Sequence, residues 1–307
     1  MTEARPGNGG REAGTVEVQW FPGNMAKARR ELAQRLKLVH VVLEIIDARI
    51  PETSRHPRLL AAERPLPRVL LLSKADLADE AMTKAWLEYF RSLGQSAAAA
   101  DLRGGAWVRR ARALLRAAAR DAGRRRGATR VLVAGLPNVG KSTAINSLAG
   151  RAKAATGATA GVTRGLQWLS GGPGLELLDS PGVLWPERTT GAAAVLLAAT
   201  GAVPETAYDP VEAADAFLRL LLQRFPGAVA ARYGPEAAAD PESPLRAVAR
   251  RRGALLPGGE PDLERAAALV LADFRSGRLG RLTLESPPPR GPEKGRPAGG
   301  QEADGAR

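Results

Sequence analysis

Residues Gly135 to Ser142 read GLPNVGKS, with the apolar run VLVA before them and the pattern TAINSLAG after them. A strand that breaks into a glycine-rich loop and restarts as a helix leaves few options, because G-x-x-x-x-G-K-[ST] in that setting is a cradle for phosphate groups. The glycines let the backbone N–H groups of Asn138, Val139 and Gly140 turn inward onto phosphate oxygens, and the helix opening at Lys141 adds the positive end of its dipole. Lys141 neutralises the β/γ charge, Ser142 offers its hydroxyl to magnesium, and Thr143 continues the cradle. A chance glycine turn is the competing reading, and the strand before and helix after argue against it.

The rest of the chain supplies a setting for that loop. VHVVLEIID ends at Asp47 and RVLLLSKAD ends in the polar cluster Ser73 to Asp76; both are too short and too apolar to read as helices. LELLDSPG is a further strand. Helices are expected over Asn24–Leu38, about Glu80–Leu93 and about Ala106–Ala122, with only a small-residue stretch between the last two. Strands alternating with helices predict an α/β domain: a mostly parallel sheet covered by helices on both faces. After Thr190 the pattern is helical alone. The expected organisation is therefore a disordered start over 1–15, an α/β domain over 16–190, an all-α domain over 191–285 and a disordered tail over 286–307.

Within the α/β domain, Asp179 in DSPG stands at a strand end, where a carboxylate can hold the magnesium shell and the Gly182 N–H can meet a γ-phosphate. Thr163, in the polar loop GVTRG, can supply a second hydroxyl to the metal. Ser73-Lys74-Ala75-Asp76 selects the base: a carboxylate at a strand end accepts both N1–H and N2–H of guanine, which adenine cannot offer, while the Lys stem covers the ring. The usual motif has Asn where Ser73 stands, and Ser is a shorter partner.

Composition narrows the chemistry. With Cys 0 and His 2 in 307 residues, zinc ribbons, iron–sulfur sites, thiol nucleophiles and disulfide frameworks are excluded. The net charge of +13 favours an anionic partner, and all of it falls within 16–204, since 205–285 comes to −1. A coding bias toward Arg could supply part of that charge. Arg109, Arg112, Arg116 and Arg120 lie three and four apart on one helix face, either along RNA phosphates or as a solvated face; Arg250, Arg251 and Arg252 form a second cluster. No apolar run reaches the roughly 18 residues of a membrane span, and the polar start lacks a signal peptide's apolar stretch. A soluble, cytoplasmic protein without a membrane role is expected.

The guanine motif precedes the phosphate loop, whereas an ordinary GTPase has it after. Together with QWFPGNMAKARREL, LEIIDARIPETSRHP, GLPNVGKSTAINSLAG, GVTRGLQW, LLDSPGVLWP and the later RRRGALLPGGEPDLERAAALVLADFRSGRLGRL, this order closely resembles the ribosome biogenesis GTPase A family, the YlqF-type circularly permuted GTPases, over about residues 16–285. The resemblance implies a circularly permuted P-loop GTPase domain followed by an RNA-contacting helical domain. It implies binding of GTP and GDP with Mg2+, and GTP hydrolysis during late assembly of the large ribosomal subunit on its rRNA, with a monomer expected off the ribosome. The order has a physical reading of its own. Cutting the fold just after DSPG attaches the C-terminal helices to the loop that senses the γ-phosphate, so nucleotide state can become domain position.

Two departures bear on turnover. Val183 follows the DSPG glycine where a small GTPase has its water-orienting Gln, and Asn24 stands where the family has His in WFPGHM. Asn24 can orient a water but cannot take its proton, so slow turnover stimulated by the ribosome is expected. The alternative is a GTP-dependent RNA- or ribosome-binding scaffold with negligible hydrolysis. His40 reads as a core residue and His56 as a solvated loop residue. Asn138 either holds a potassium ion beside the phosphates, as the resemblance implies, or simply shapes the turn. Asp101, in AADL, is the candidate contact of the second guanine loop. A zinc-containing permuted GTPase of the small subunit would need Cys and His ligands that the chain lacks.

Overall fold

The computed structural model describes residues 16–19, 36–55, 66–123, 127–150, 168–179, 188–239 and 243–289. Six strands form one sheet: β2 (Val41–Asp47), β3 (Arg68–Ser73), β4 (Ser96–Ala99), β5 (Thr129–Gly135), β6 (Trp168–Ser170) and β7 (Leu175–Asp179). They lie side by side in the order β4-β3-β2-β5-β7-β6, all neighbours parallel except the antiparallel edge strand β6. Every residue of central β2 is buried, as a parallel strand covered on both faces requires. β4 was not foreseen: the stretch expected to be featureless pairs with β3 from Val69↔Ser96 to Leu72↔Ala99. Its sequence, SAAA, has no β-branched or aromatic residue, so only the neighbouring strand gives it away.

Helices cover both faces. On one, α2 (Ala106–Asp121) and α3 (Lys141–Ala149) lay Trp107, Ala111, Leu115, Ile145 and Leu148 against Leu43, Ile45, Val69, Leu71, Val131 and Val133. On the other, Trp86 and Phe90 of α1 (Glu80–Ser92) meet Ile46, Leu70, Leu72 and Ala97. α1 begins where Asp79 accepts from the Met82 N–H at 2.7 Å, with Glu80 in its first turn and Arg91 in its last, which suits the ends of the helix dipole.

A two-stranded ribbon joins the start of the described chain to its helical half: β1 (Glu17–Gln19) pairs antiparallel with β8 (Arg188–Thr190), Glu17 opposite Thr190. β8 runs directly into α4 (Gly191–Thr200). α5 (Pro210–Arg224), α6 (Pro226–Tyr233), α7 (Glu236–Ala239), α8 (Pro244–Arg251) and α9 (Leu263–Arg275) follow. α5 opens on an Asp209 cap with Pro210 next, a strong start signal. Buried Ala194, Leu197, Phe217, Leu221, Val248, Val270 and Phe274 belong to the same apolar cluster as the α2–α3 face of the sheet. The helices and the sheet thus share one core, and residues 281–289 carry no regular element.

Candidate nucleotide site

The residues singled out in sequence meet because their strands are parallel. Asp47 and Ser73 are register partners at the ends of β2 and β3, Ile45 lies opposite Gly135, and Val133 lies opposite Asp179. The guanine motif, Asp101, the phosphate loop and Asp179 therefore leave the carboxyl ends of β3, β4, β5 and β7 on one side of the sheet, where open α/β sheets take their ligands. A cavity of about 270 Å³ opens there. Lys74, Asp76, Leu77, Asp101, Leu102 and Arg103 line one end, and Asn138, Val139, Gly140 and Thr143 the other.

The phosphate end is shaped by backbone. Gly135 has φ 152°, and a Cβ there would stand 2.3 Å from the Ile45 carbonyl oxygen, so no other residue fits. Asn138 adopts a left-handed φ of 57° and Gly140 caps α3 at φ 100°. Lys141 Nζ donates to the Leu136 carbonyl at 2.6 Å, curled over its own loop. Burial pushes its pKa down to about 8, with Asp179 pulling the other way, so the ammonium is held in a pocket short of negative charge until phosphates supply it. Ser142 sits half-buried in the first turn of α3, and Asp179 is buried at the end of β7. A hydroxyl and a carboxylate are hard oxygen donors of the kind magnesium prefers.

The base end is held by charge. Asp47 accepts from Arg49 Nε at 2.9 Å and Nη2 at 2.8 Å and pairs with Lys74 Nζ at 2.9 Å. Burial alone would raise the Asp47 pKa, but Arg49 and Lys74 overcome it and hold the carboxyl well below the usual range. Lys74, at a left-handed φ of 55°, is thus fixed over the cavity. Asp76 pairs with Arg103 Nη2 at 2.6 Å, and the same guanidinium holds Asp101 at 3.0 Å. Ala75 N–H donates to the Ala100 carbonyl at 3.3 Å, joining the two base loops. Ser73 is fully buried, and its hydroxyl donates to the Ile46 carbonyl at 2.9 Å, bracing β2 against β3 rather than facing the cavity.

Three features were invisible in sequence. The Asn138 amide donates to the Gly201 carbonyl at the C-terminal end of α4, at 2.7 Å. This is a direct bond from the phosphate loop to the helical half. Its amide nitrogen is thereby engaged in shaping the turn, and the side-chain oxygen is the atom left to face a cation. Arg275 from α9 lines the same cavity and donates to the Ala198 and Ala199 carbonyls, a cation answering the negative end of α4. Arg103 is the third, an exposed cation tying two expected base-reading carboxylates together. Of the Arg stripe on α2, Arg112 and Arg116 give their guanidiniums to the Leu148 and Pro173 carbonyls, and Arg109, Arg116 and Arg120 are exposed. His40 Nδ1 accepts from the Arg130 N–H at 2.9 Å, a structural bond between the starts of the central strands β2 and β5. Asn24, Thr163, Gly182, Val183 and His56 lie outside the described residues.

Residues 130–221 match the family model described as a 50S ribosome-binding GTPase. Over 278 residues the chain is 38% identical to ribosome biogenesis GTPase A of Bacillus cereus, covering 88% of this chain and 94% of that one. The chain belongs to the ribosome biogenesis GTPase A family. Its relative of the same name in Thermotoga maritima is 33% identical over 271 residues, covering 88% and 95%. A GDP-bound YlqF structure aligns at TM-score 0.58 and 28% identity, covering 84% of this chain and 99% of that one. The GNP-bound YlqF from T. maritima aligns at 0.58 and 27%, covering 85% and 99%. Membership makes the chain a guanine-nucleotide-binding GTPase, and the P-loop fold with its mostly parallel sheet and following helices agrees with these structures.

Proposed function

We propose that this member of the ribosome biogenesis GTPase A family acts late in maturation of the large ribosomal subunit, in the cytoplasm, as a monomer that hydrolyses GTP slowly until a ribosomal particle stimulates it. The observation that carries the reading is one cavity lined by Lys74, Asp76 and Asp101 for a guanine and by Asn138, Val139, Gly140 and Thr143 for phosphates. The Asn138 to Gly140 backbone and Lys141 would bind the phosphates, and Asp76 would read N1–H and N2–H. Ser142, Thr163 and Asp179 would hold magnesium, which when bound neutralises charge developing on the transferred phosphoryl group. The Gly182 N–H would meet the γ-phosphate and Asn24 would orient the attacking water without accepting its proton. With no side chain in that role able to act as a base, closure on the particle and exclusion of bulk water would provide the acceleration. The basic surface that keeps Arg109, Arg120 and Arg250 exposed would face rRNA. A multiple-turnover assay with and without large subunits tests this. Turnover that rises with large subunits supports it; no turnover under either condition would leave a nucleotide-dependent scaffold instead.

A further inference from the structure

Beyond α9 the chain turns and runs extended across the α/β half, and its bonds there are not scattered. Arg281 Nε donates to the Ala78 carbonyl at 2.8 Å and Nη2 to the Ala75 carbonyl at 3.2 Å. Leu282 N–H donates to the Leu77 carbonyl at 3.1 Å. The Thr283 hydroxyl accepts from the Asp79 N–H at 3.1 Å. One short strap thus bonds to Ala75, Leu77, Ala78 and Asp79, the loop that begins with the base-reading Lys74–Asp76. A second route reaches the same loop. Leu284 N–H donates to the Arg49 carbonyl at 2.7 Å, and the Arg49 guanidinium holds Asp47, which holds Lys74. The far end is anchored where the Glu285 carboxylate accepts from the Glu52 and Thr53 N–H groups and its carbonyl accepts from Trp86 Nε1. Leu282, Thr283 and Leu284 are buried.

We infer that residues 281–285 are part of the base-recognition machinery, with Arg281 the positioning residue that sets the Ala75–Asp76 backbone at the height a guanine edge requires. The inference rests on the guanine reading of the cavity. A loop carbonyl left without its donor can rotate, and the carboxylate of the next residue moves with it; a hydrogen bond read at about 2.9 Å does not tolerate a displacement of an ångström. Because the strap continues α9, base recognition then depends on the seat of the helical half by a route separate from the Asn138–Gly201 bond at the phosphate loop.

The test compares GDP with inosine diphosphate, which keeps the phosphates and sugar but lacks the 2-amino group that Asp76 would read. The full-length wild type is expected to favour GDP by at least about tenfold. Arg281→Ala should bring that ratio below about threefold, GDP losing both contacts to Asp76 and inosine diphosphate only its N1–H contact, and Arg281→Lys, which can reach one carbonyl but not bridge two, should fall between. A merely structural loss would lower both affinities by the same factor and leave the ratio unchanged. An unchanged ratio in a folded Arg281→Ala protein overturns the strap's role and leaves the base site standing; a wild type that does not discriminate fails the base site itself, and the strap with it. Should the Ala variant not fold, hydrogen exchange on wild type decides. The Leu282 and Leu284 amides should exchange at least about fivefold slower with GDP than with inosine diphosphate at equal saturation, and equal exchange refutes the inference.

Discussion

Asp47→Asn tests the charge knot beneath the base site. The Asp47 and Arg49 side chains are each 1% exposed, and three donors, Arg49 Nε, Arg49 Nη2 and Lys74 Nζ, converge on one carboxylate within 2.9 Å. An amide keeps the shape but offers one oxygen and no charge, leaving a buried guanidinium and a lysine without a counter-ion. Breaking a buried pair in this way costs about 3–5 kcal/mol, far more than an exposed pair is worth. Denaturant unfolding of the full chain should show a midpoint lowered by that loss divided by the slope, with the slope itself unchanged. The pH dependence carries a sign as well. Since the Asp47 pKa is depressed in the folded state, its stabilisation is complete above the unfolded carboxyl value near pH 4 and is lost as pH falls through and below it. The Asn variant should have a flatter acid limb than wild type. A loss under about 1 kcal/mol, or acid limbs that superimpose, would show that the three donors do not depend on the carboxylate's charge.

Asp76→Asn should abolish the preference for GTP over ATP, which in wild type should be at least the tenfold that about 1.4 kcal/mol represents, as read by competition binding; equal affinities in wild type would remove the guanine assignment. Lys141 has a pKa of about 8 in the free protein, and phosphates raise it, so affinity should be level below that pH and fall roughly tenfold by pH 9, with proton uptake on binding. Lys141→Arg, charged throughout, should lose that dependence, and a wild type whose affinity is flat to pH 9 would contradict the shift. Asn24→Ala should lower particle-stimulated turnover with GTP affinity nearly unchanged, the pattern of an interaction made in the transition state, and Asn24→His should match or exceed wild type; full stimulated turnover in the Ala variant would acquit Asn24.

What the sequence made legible follows the range of the physics. β2 was readable because seven consecutive buried positions are filled by VVLEIID, and the phosphate loop because its glycine and lysine spacing is local. β4 was not, because Ala and Ser become a strand only beside β3. The Asp47–Arg49–Lys74 knot was hidden in plain view: the first two residues sit in the quoted LEIIDARIPETSRHP, yet Lys74 joins them only through the register that sets Asp47 beside Ser73. Asn138 could be read locally as a turn residue or a cation ligand, and its partner Gly201 lies 63 positions away. RLTLES alternates for too short a stretch to signal anything, and its role comes wholly from the loops beneath it.

The long-range contacts give the permuted chain order a consequence that order alone could not. A helical half held only by its apolar core would be indifferent to what fills the cavity. Here Gly201 accepts from the Asn138 side chain of the phosphate loop, Arg275 lines the same cavity, and the 281–285 strap bonds to the backbone of the base loop. Such bonds are worth about 1 kcal/mol each in net terms, so a few of them supply the 1–3 kcal/mol typical of coupling between sites. Coupling in binding free energy is reciprocal. If nucleotide shifts the seat of the helices, then a partner that draws the helices away must change nucleotide affinity by the same factor. The cavity's two ends would not respond alike: loss of the strap would weaken hold on the base, while release of Gly201 would free the phosphate loop, so the direction in which a particle pulls decides whether it favours exchange of nucleotide or rearrangement around its phosphates.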